Sequence, residues 1–158
     1  MTIEERKHRL SPENYIGLVQ ASFTICTKNK TELFTKDEIV NEFVDKLRIA
    51  NNKYEIANWC YMFMPDHIHI LNEGRTDNSD LLKGMNLFKQ YCSYYLSKNN
   101  IGVKLQKDYY DHIHKEEEEL VKQIRYLLEN PVRKGLVENW EDYKYKGSLD
   151  YRLEEIIT

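Results

Sequence analysis

Several things are scarce in this 158-residue chain, and each scarcity removes a class of protein. There are three cysteines, Cys26, Cys60 and Cys92, odd in number, far apart and without a CxxC pair. That pattern excludes a disulfide framework and a zinc ribbon, and it points to reduced thiols in a cytosolic protein. No apolar run approaches the ~20 residues that a membrane-spanning helix needs. The opening MTIEERKHRL is charged throughout and has no apolar h-region, so no secretory signal is expected. Low-complexity tracts and linkers are missing too, which leaves one domain, 1–158, long enough to bury a single core.

An excess of positive charge is also lacking. The net charge is −3 and the pI is near 6.0, without the basic footprint usual in nucleic-acid binders. The charge is unevenly spread, however. Residues 79–115 hold six lysines and three acids, whereas residues 116–130 hold five acids and two bases. A locally basic groove is compatible with that distribution. Tyrosine, by contrast, is plentiful at twelve residues, enough to fill core positions and still offer stacking rings.

Periodicity supplies the elements. VQASFTICT, residues 19–27, alternates and is rich in β-formers, which predicts a strand. Thr35, followed by Glu38 three residues on, resembles a capping pair. Ile39, Val40, Phe43, Val44 and Leu47 then follow helical spacing to about Ala50. KYEIANWCYM, residues 53–62, predicts a second strand. Pro65 and Asp66 punctuate it, and His67 to Leu71 begins a third strand, giving a hairpin. Asn78-Ser79-Asp80 is suited to cap a helix running to about Lys98. Lys104 to His114 reads as extended. Glu116 to Glu119 form an acidic first turn for a last helix, which Pro131 should end. The order β-α-β-β-α-β-α begins with the split βαβ, or ferredoxin-like, arrangement. The fold expected is α+β: an antiparallel sheet with helices on one face, plus an added C-terminal helix.

Two HxH stretches stand out, His67-Ile68-His69 and His112-Ile113-His114, each preceded by an aspartate. On a strand, residues i and i+2 share a face, so each pair projects two imidazoles together. His67 and His69 thus form half of a metal site, or else the polar side of a half-exposed strand. All four histidines could cage a zinc or iron if the two segments lay side by side. On the last helix Tyr126 and Asn130 stand at i and i+4, one turn apart on one face. Alone they are an amphipathic edge; beside His67 and His69, Asn130 could offer an oxygen ligand and Tyr126 a hydroxyl.

Together, SFTICTKN, WCYMFMPDHIHIL, GMNLFKQY, LQKDYYDHIHKEEE, IRYLLENPVRKGLV and YKYKGS resemble the single-tyrosine, His-hydrophobic-His transposases acting on single-stranded DNA, most closely the REP-associated tyrosine transposases. The resemblance covers nearly the whole chain. It implies a metal-dependent endonuclease and strand transferase that cuts through a 5′-phosphotyrosine and can rejoin strands. Tyr126 would be the nucleophile, and His67, His69 and Asn130 would hold one divalent ion, Mg²⁺ or Mn²⁺, with His114 outside the site. The partner implied is single-stranded or hairpin DNA, in the cytoplasm or at the nucleoid, with no membrane and with monomer or homodimer undecided. Lys83, Lys89, Lys107, Arg133 and Lys134 are candidate phosphate contacts, and Tyr109 and Tyr110 candidate stacking groups. Those tyrosines alternate, so at most one should face the site. The chain departs from the family pattern at Leu105-Gln106, where Trp-Gln is usual, and at His114, where Arg is common. Two rival readings are a domesticated hairpin-binding protein that does not cut and a hydrolase using all four histidines.

Overall fold

The structure, a computed structural model, describes residues 9–157. Most of the charged opening stretch, 1–8, lies outside the described residues. Strands β1 (Gln20–Cys26), β2 (Ile56–Met64), β3 (His67–Gly74), β4 (Tyr110–His114) and the two-residue β5 (Lys146–Gly147) form one antiparallel sheet in the order β4-β1-β3-β2-β5. The first four give the ferredoxin-like order, as the sequence predicts.

Helices α1 (Asp37–Lys53) and α2 (Leu81–Lys98) cover one face of the sheet. They bury Ile39, Val40, Phe43 and Leu47, and Leu81, Met85, Phe88 and Cys92, against Phe23, Ile25, Ile68 and Ile70. Asp80 caps α2 by accepting from the Lys83 amide. Thr35 does not cap α1. The N-cap there is Lys36 with no side-chain bond, while Asp37 is held instead by the Lys144 amine and the Tyr145 hydroxyl.

The second face is also covered, in part. Helix α3 (Glu117–Leu128) lays Leu120, Ile124, Leu127 and Leu128 on Cys60, Met62 and Met64 of β2 and Leu71 of β3. The molecule is therefore three layers at this end, where a one-sided sheet plus an extra helix is expected. Pro131 interrupts the helix rather than ending it. Having no N–H, Pro131 cannot continue the ladder, and a break falls at Glu129. The backbone nevertheless stays helical into a short turn, α4 (Asn130–Arg133), because Arg133 and Lys134 donate to the carbonyls of Glu129 and Asn130. Gly135, at φ +75°, then closes the turn. Its amide donates to the Val132 carbonyl and the Leu136 amide to the Pro131 carbonyl, a Schellman pattern. A final short helix, α5 (Leu153–Ile156), seals the α3 side through Leu153.

Beyond α4 the chain wraps back over β2. Asn58, at a bulge in that strand, is the anchor. Its amide donates to the carbonyls of Cys60 and Leu71, and its oxygen accepts from the Leu149 amide. No helix of the described residues is long and apolar enough to cross a membrane.

Candidate active site on the α3 face

Register decides which side chains reach the face carrying α3. Thr24 pairs with His69 and Cys26 with His67, while Met62 and Met64 lie opposite the same two histidines on the other side. Ile68 and Ile70 point the other way, into the α1–α2 core. The two imidazoles are thus presented side by side, ring centroids 4.8 Å apart and 88° to one another. Each ring is oriented from behind. His67 Nδ1 lies 2.6 Å from a carboxylate oxygen of Asp66, and His69 Nδ1 lies 3.1 Å from the Thr24 hydroxyl. With both Nδ1 atoms so engaged, the Nε2 atoms are the ones left to face a ligand. This is the arrangement metal-binding histidines commonly use, because the partner fixes tautomer and ring plane. Burial, then the neighbouring His67 and Arg133, push the His69 pKa down to about 3. Its imidazole is therefore neutral at ordinary pH and its lone pair available.

Helix α3 carries the tyrosine candidate, and the turn after it carries Asn130. Tyr126 is 60% exposed, on the side of α3 away from its buried stripe. Arg133 folds back over it. The guanidinium stands 3.8 Å from the ring centroid, donates to the Tyr126 carbonyl at 2.8 Å, and reaches the Asn130 side-chain oxygen at 3.4 Å. Arg133 also raises the local positive potential felt by His69. One cation therefore links the nucleophile candidate and the amide candidate. Beside His67 is a cavity of about 470 Å³, bordered by Asp66, Tyr110, Gln106 and Lys134. A larger cleft of about 600 Å³ lies under Trp59, Tyr151 and Arg152, away from these histidines.

The remaining candidates divide. Lys134 borders the cavity beside His67, Arg133 lies against Tyr126, and Tyr110 shares the face of Thr24 and His69. Tyr109 does not serve as a stacking platform. It is 4% exposed, packed edge-on to Phe23, with its hydroxyl donated to Asn86. Lys83 and Lys89 belong to α2, on the far side of the sheet. The Lys89 amine is spent on the carbonyls of Gln106 and Lys107, and burial lowers its pKa to about 8. Lys107 is exposed in the loop before β4.

The four-histidine cage is not assembled. His112 and His114 share the face of His67 and His69, but β1 runs between, and His112 is level with Ser22 rather than Thr24. Two strand spacings put the pairs roughly 10 Å apart, beyond the reach of one ion with bonds of ~2 Å. Two supporting residues escaped the sequence reading. Asp66 was legible only as turn punctuation, although its place directly before His67 is a usable signal. Thr24 becomes visible only once the β1–β3 register is known.

Comparison with known families now bears on these features. Residues 16–123 match the model of the family described as "Transposase IS200 like". The chain belongs to the IS200-like transposase family. The span matched in this IS200-like chain includes both HxH stretches and stops just before Tyr126. A Haemophilus influenzae protein bearing the name REP-associated tyrosine transposase is 25% identical over 137 residues, 79% of this chain and 77% of that protein. Among solved structures, a REP-associated tyrosine transposase bound to a REP hairpin superposes with a TM-score of 0.73 at 16% identity, over 88% of this chain and 80% of that one. A Deinococcus radiodurans structure, also named as a transposase, gives 0.53 at 18% identity, over 77% of this chain and 97% of its own. At those identities the two structures speak for the fold, which they share.

Proposed function

We propose that this IS200-like transposase is a divalent-metal-dependent endonuclease and strand transferase for single-stranded or hairpin DNA, with Tyr126 as its nucleophile. The observation that carries the reading is the pair of imidazoles held side by side on β3, each with its Nδ1 engaged by Asp66 or Thr24, on the sheet face covered by the helix that bears Tyr126. The neighbour solved with a REP hairpin supports a DNA hairpin as the partner.

His67 and His69, oriented by Asp66 and Thr24, fit a metal through their free Nε2 atoms, and Asn130 would add an oxygen. A divalent ion held there supplies Lewis acidity that polarises the scissile phosphate and offsets charge developing on it. Mixed imidazole and amide donors suit Mn²⁺ well, and Mg²⁺, although it prefers oxygen, would also serve. The chain's own groups do the rest. Arg133 and Lys134 receive the phosphate beside the Tyr126 ring, and Tyr110 offers an exposed face to a base. The Tyr126 oxygen bonds to phosphorus while the bond from phosphorus to the 3′ oxygen breaks. The phenolic proton passes to solvent and the departing 3′ oxygen takes one up. The products are a 5′-phosphotyrosine and a free 3′-OH. One phosphodiester has replaced another, so a second 3′-OH can reverse the step and join strands.

Cleavage of labelled hairpin-bearing single-stranded DNA on denaturing gels tests this. Cutting should need Mn²⁺ or Mg²⁺, stop with chelator, and fall by at least three orders of magnitude in Tyr126→Phe and His67→Ala while hairpin binding persists. Tight binding with no cutting by the native chain on any hairpin would instead identify a hairpin-binding protein.

A further inference from the structure

The second HxH stretch is left unused by the site above, yet it is not idle in the fold. At the end of β4, His112 Nε2 lies 2.7 Å and His114 Nδ1 lies 3.1 Å from the same oxygen of Glu119, in the first turn of α3. The two rings stand 4.9 Å apart at 78°. The three donor atoms all lie within 4.8 Å of one another, and among the described residues no other trio of His, Cys, Asp or Glu converges in this way.

We infer that His112, His114 and Glu119 form a second metal site, separate from His67 and His69, that takes a zinc-class divalent cation. Two imidazoles and one carboxylate are the donor set that zinc accepts in sites that keep a fourth position open, and imidazole nitrogen argues against Mg²⁺ or Ca²⁺. The open position faces solvent, since the His112 side chain is 64% exposed and that of Glu119 42%. His114, by contrast, is only 2% exposed, so the sheet holds one ligand rigidly while the other two close over it. Coordination through His114 Nδ1 places the ring's remaining N–H at Nε2, which is buried and finds no partner. His114 thus lacks the outer hydrogen bond that usually supports a metal-binding imidazole, worth about ten- to a hundredfold in affinity, so a low-micromolar rather than structural zinc is implied. Its consequence is mechanical. The ion clips the edge strand to the first turn of α3, the helix that carries Tyr126 two turns later.

The inference does not rest on metal binding by His67, His69 and Asn130, and zinc stoichiometry on the full chain separates the two. Equilibrium dialysis against low-micromolar Zn²⁺ is run on the native chain, His67→Ala, His67→Ala/His112→Ala and His67→Ala/Glu119→Gln, with circular dichroism as the check on folding. His112 is exposed, and Glu119→Gln preserves shape, so both second changes should leave the fold intact. His67→Ala should retain one equivalent of zinc and gain thermal stability from it, and both double variants should lose the zinc and the gain. Absence of zinc from His67→Ala, or its full retention in either double variant, would show the cluster to be an ordinary carboxylate bridge between two imidazoles.

Discussion

At the scale of the residue, the site is built from side chains that hold one another in a usable state. Asp66 and Thr24 each take up one Nδ1, so both imidazoles offer the opposite nitrogen. Such partners are typically worth ten- to a hundredfold in metal affinity. Asp66→Ala should accordingly raise the Mn²⁺ concentration for half-maximal cleavage by about that factor, with the rate largely recovered at saturating metal and the melting temperature little changed. An unchanged metal requirement would remove Asp66 from the site. The HxH spacing made the shared orientation of His67 and His69 readable from the sequence alone, because it follows from the two-residue period of a strand. The contrast between Tyr109 and Tyr110 was half readable. Alternation says that one ring faces the site, but the β1–β4 register is needed to say that it is Tyr110. Lys83 and Lys89 misled for a related reason: nothing in a helix's own sequence tells which face of the sheet it covers.

At the scale of the element, the turn after α3 matters most. Pro131 breaks one backbone bond, Gly135 closes the turn, and between them Arg133 is set against Tyr126 and Lys134 at the cavity beside His67. Pro131 is legible as a breaker, but its accommodation at the start of a new turn depends on the helical conformation kept at Glu129 (φ −80°, ψ −8°). Gly135 is in the left-handed region, and a Cβ there would meet nothing within 4 Å. Gly135→Ala should therefore cost about 1 kcal/mol through backbone strain alone, read by urea denaturation, together with weaker hairpin binding as Arg133 and Lys134 lose their fixed position. Gly102→Ala, also in open space but without a positive φ, should stay within about 0.5 kcal/mol of the native chain. Equal effects of the two substitutions would contradict the assigned role of the turn.

At the scale of the whole molecule, the sheet is sealed by α1 and α2 on one side and by α3 with the C-terminal wrap on the other, and several buried hydroxyls pin these layers together. Tyr109 donates to Asn86 and Tyr143 to the Phe63 carbonyl, and burial pushes each phenol up to about 12. Between about pH 10, where unfolded tyrosine ionises, and pH 12 the native chain holds protons that the unfolded chain has lost, so stability must fall across that window. Lys89 acts oppositely. Its folded pKa of about 8 lies below the unfolded value of about 10.4, so above pH 8 the unfolded chain binds the extra proton and stability rises modestly. Chemical denaturation from pH 7 to 11 should show a shallow gain followed by a steep loss beyond pH 10, and Tyr143→Phe should soften the loss. The wrap itself, with β5 and the contacts of Asn58, escaped the sequence because it is fixed by single long-range bonds rather than by any periodic pattern. The ferredoxin-like order, carried by strong periodicity, was fully legible. The claim on which all scales converge is that Tyr126 is the residue joined to DNA. Peptide mapping by mass spectrometry of the covalent adduct formed with a hairpin substrate and Mn²⁺ tests it directly. The account predicts a nucleotide on the peptide containing Tyr126 and a released strand ending in a 3′-OH; an adduct on any other tyrosine, or cleavage without an adduct, would contradict it.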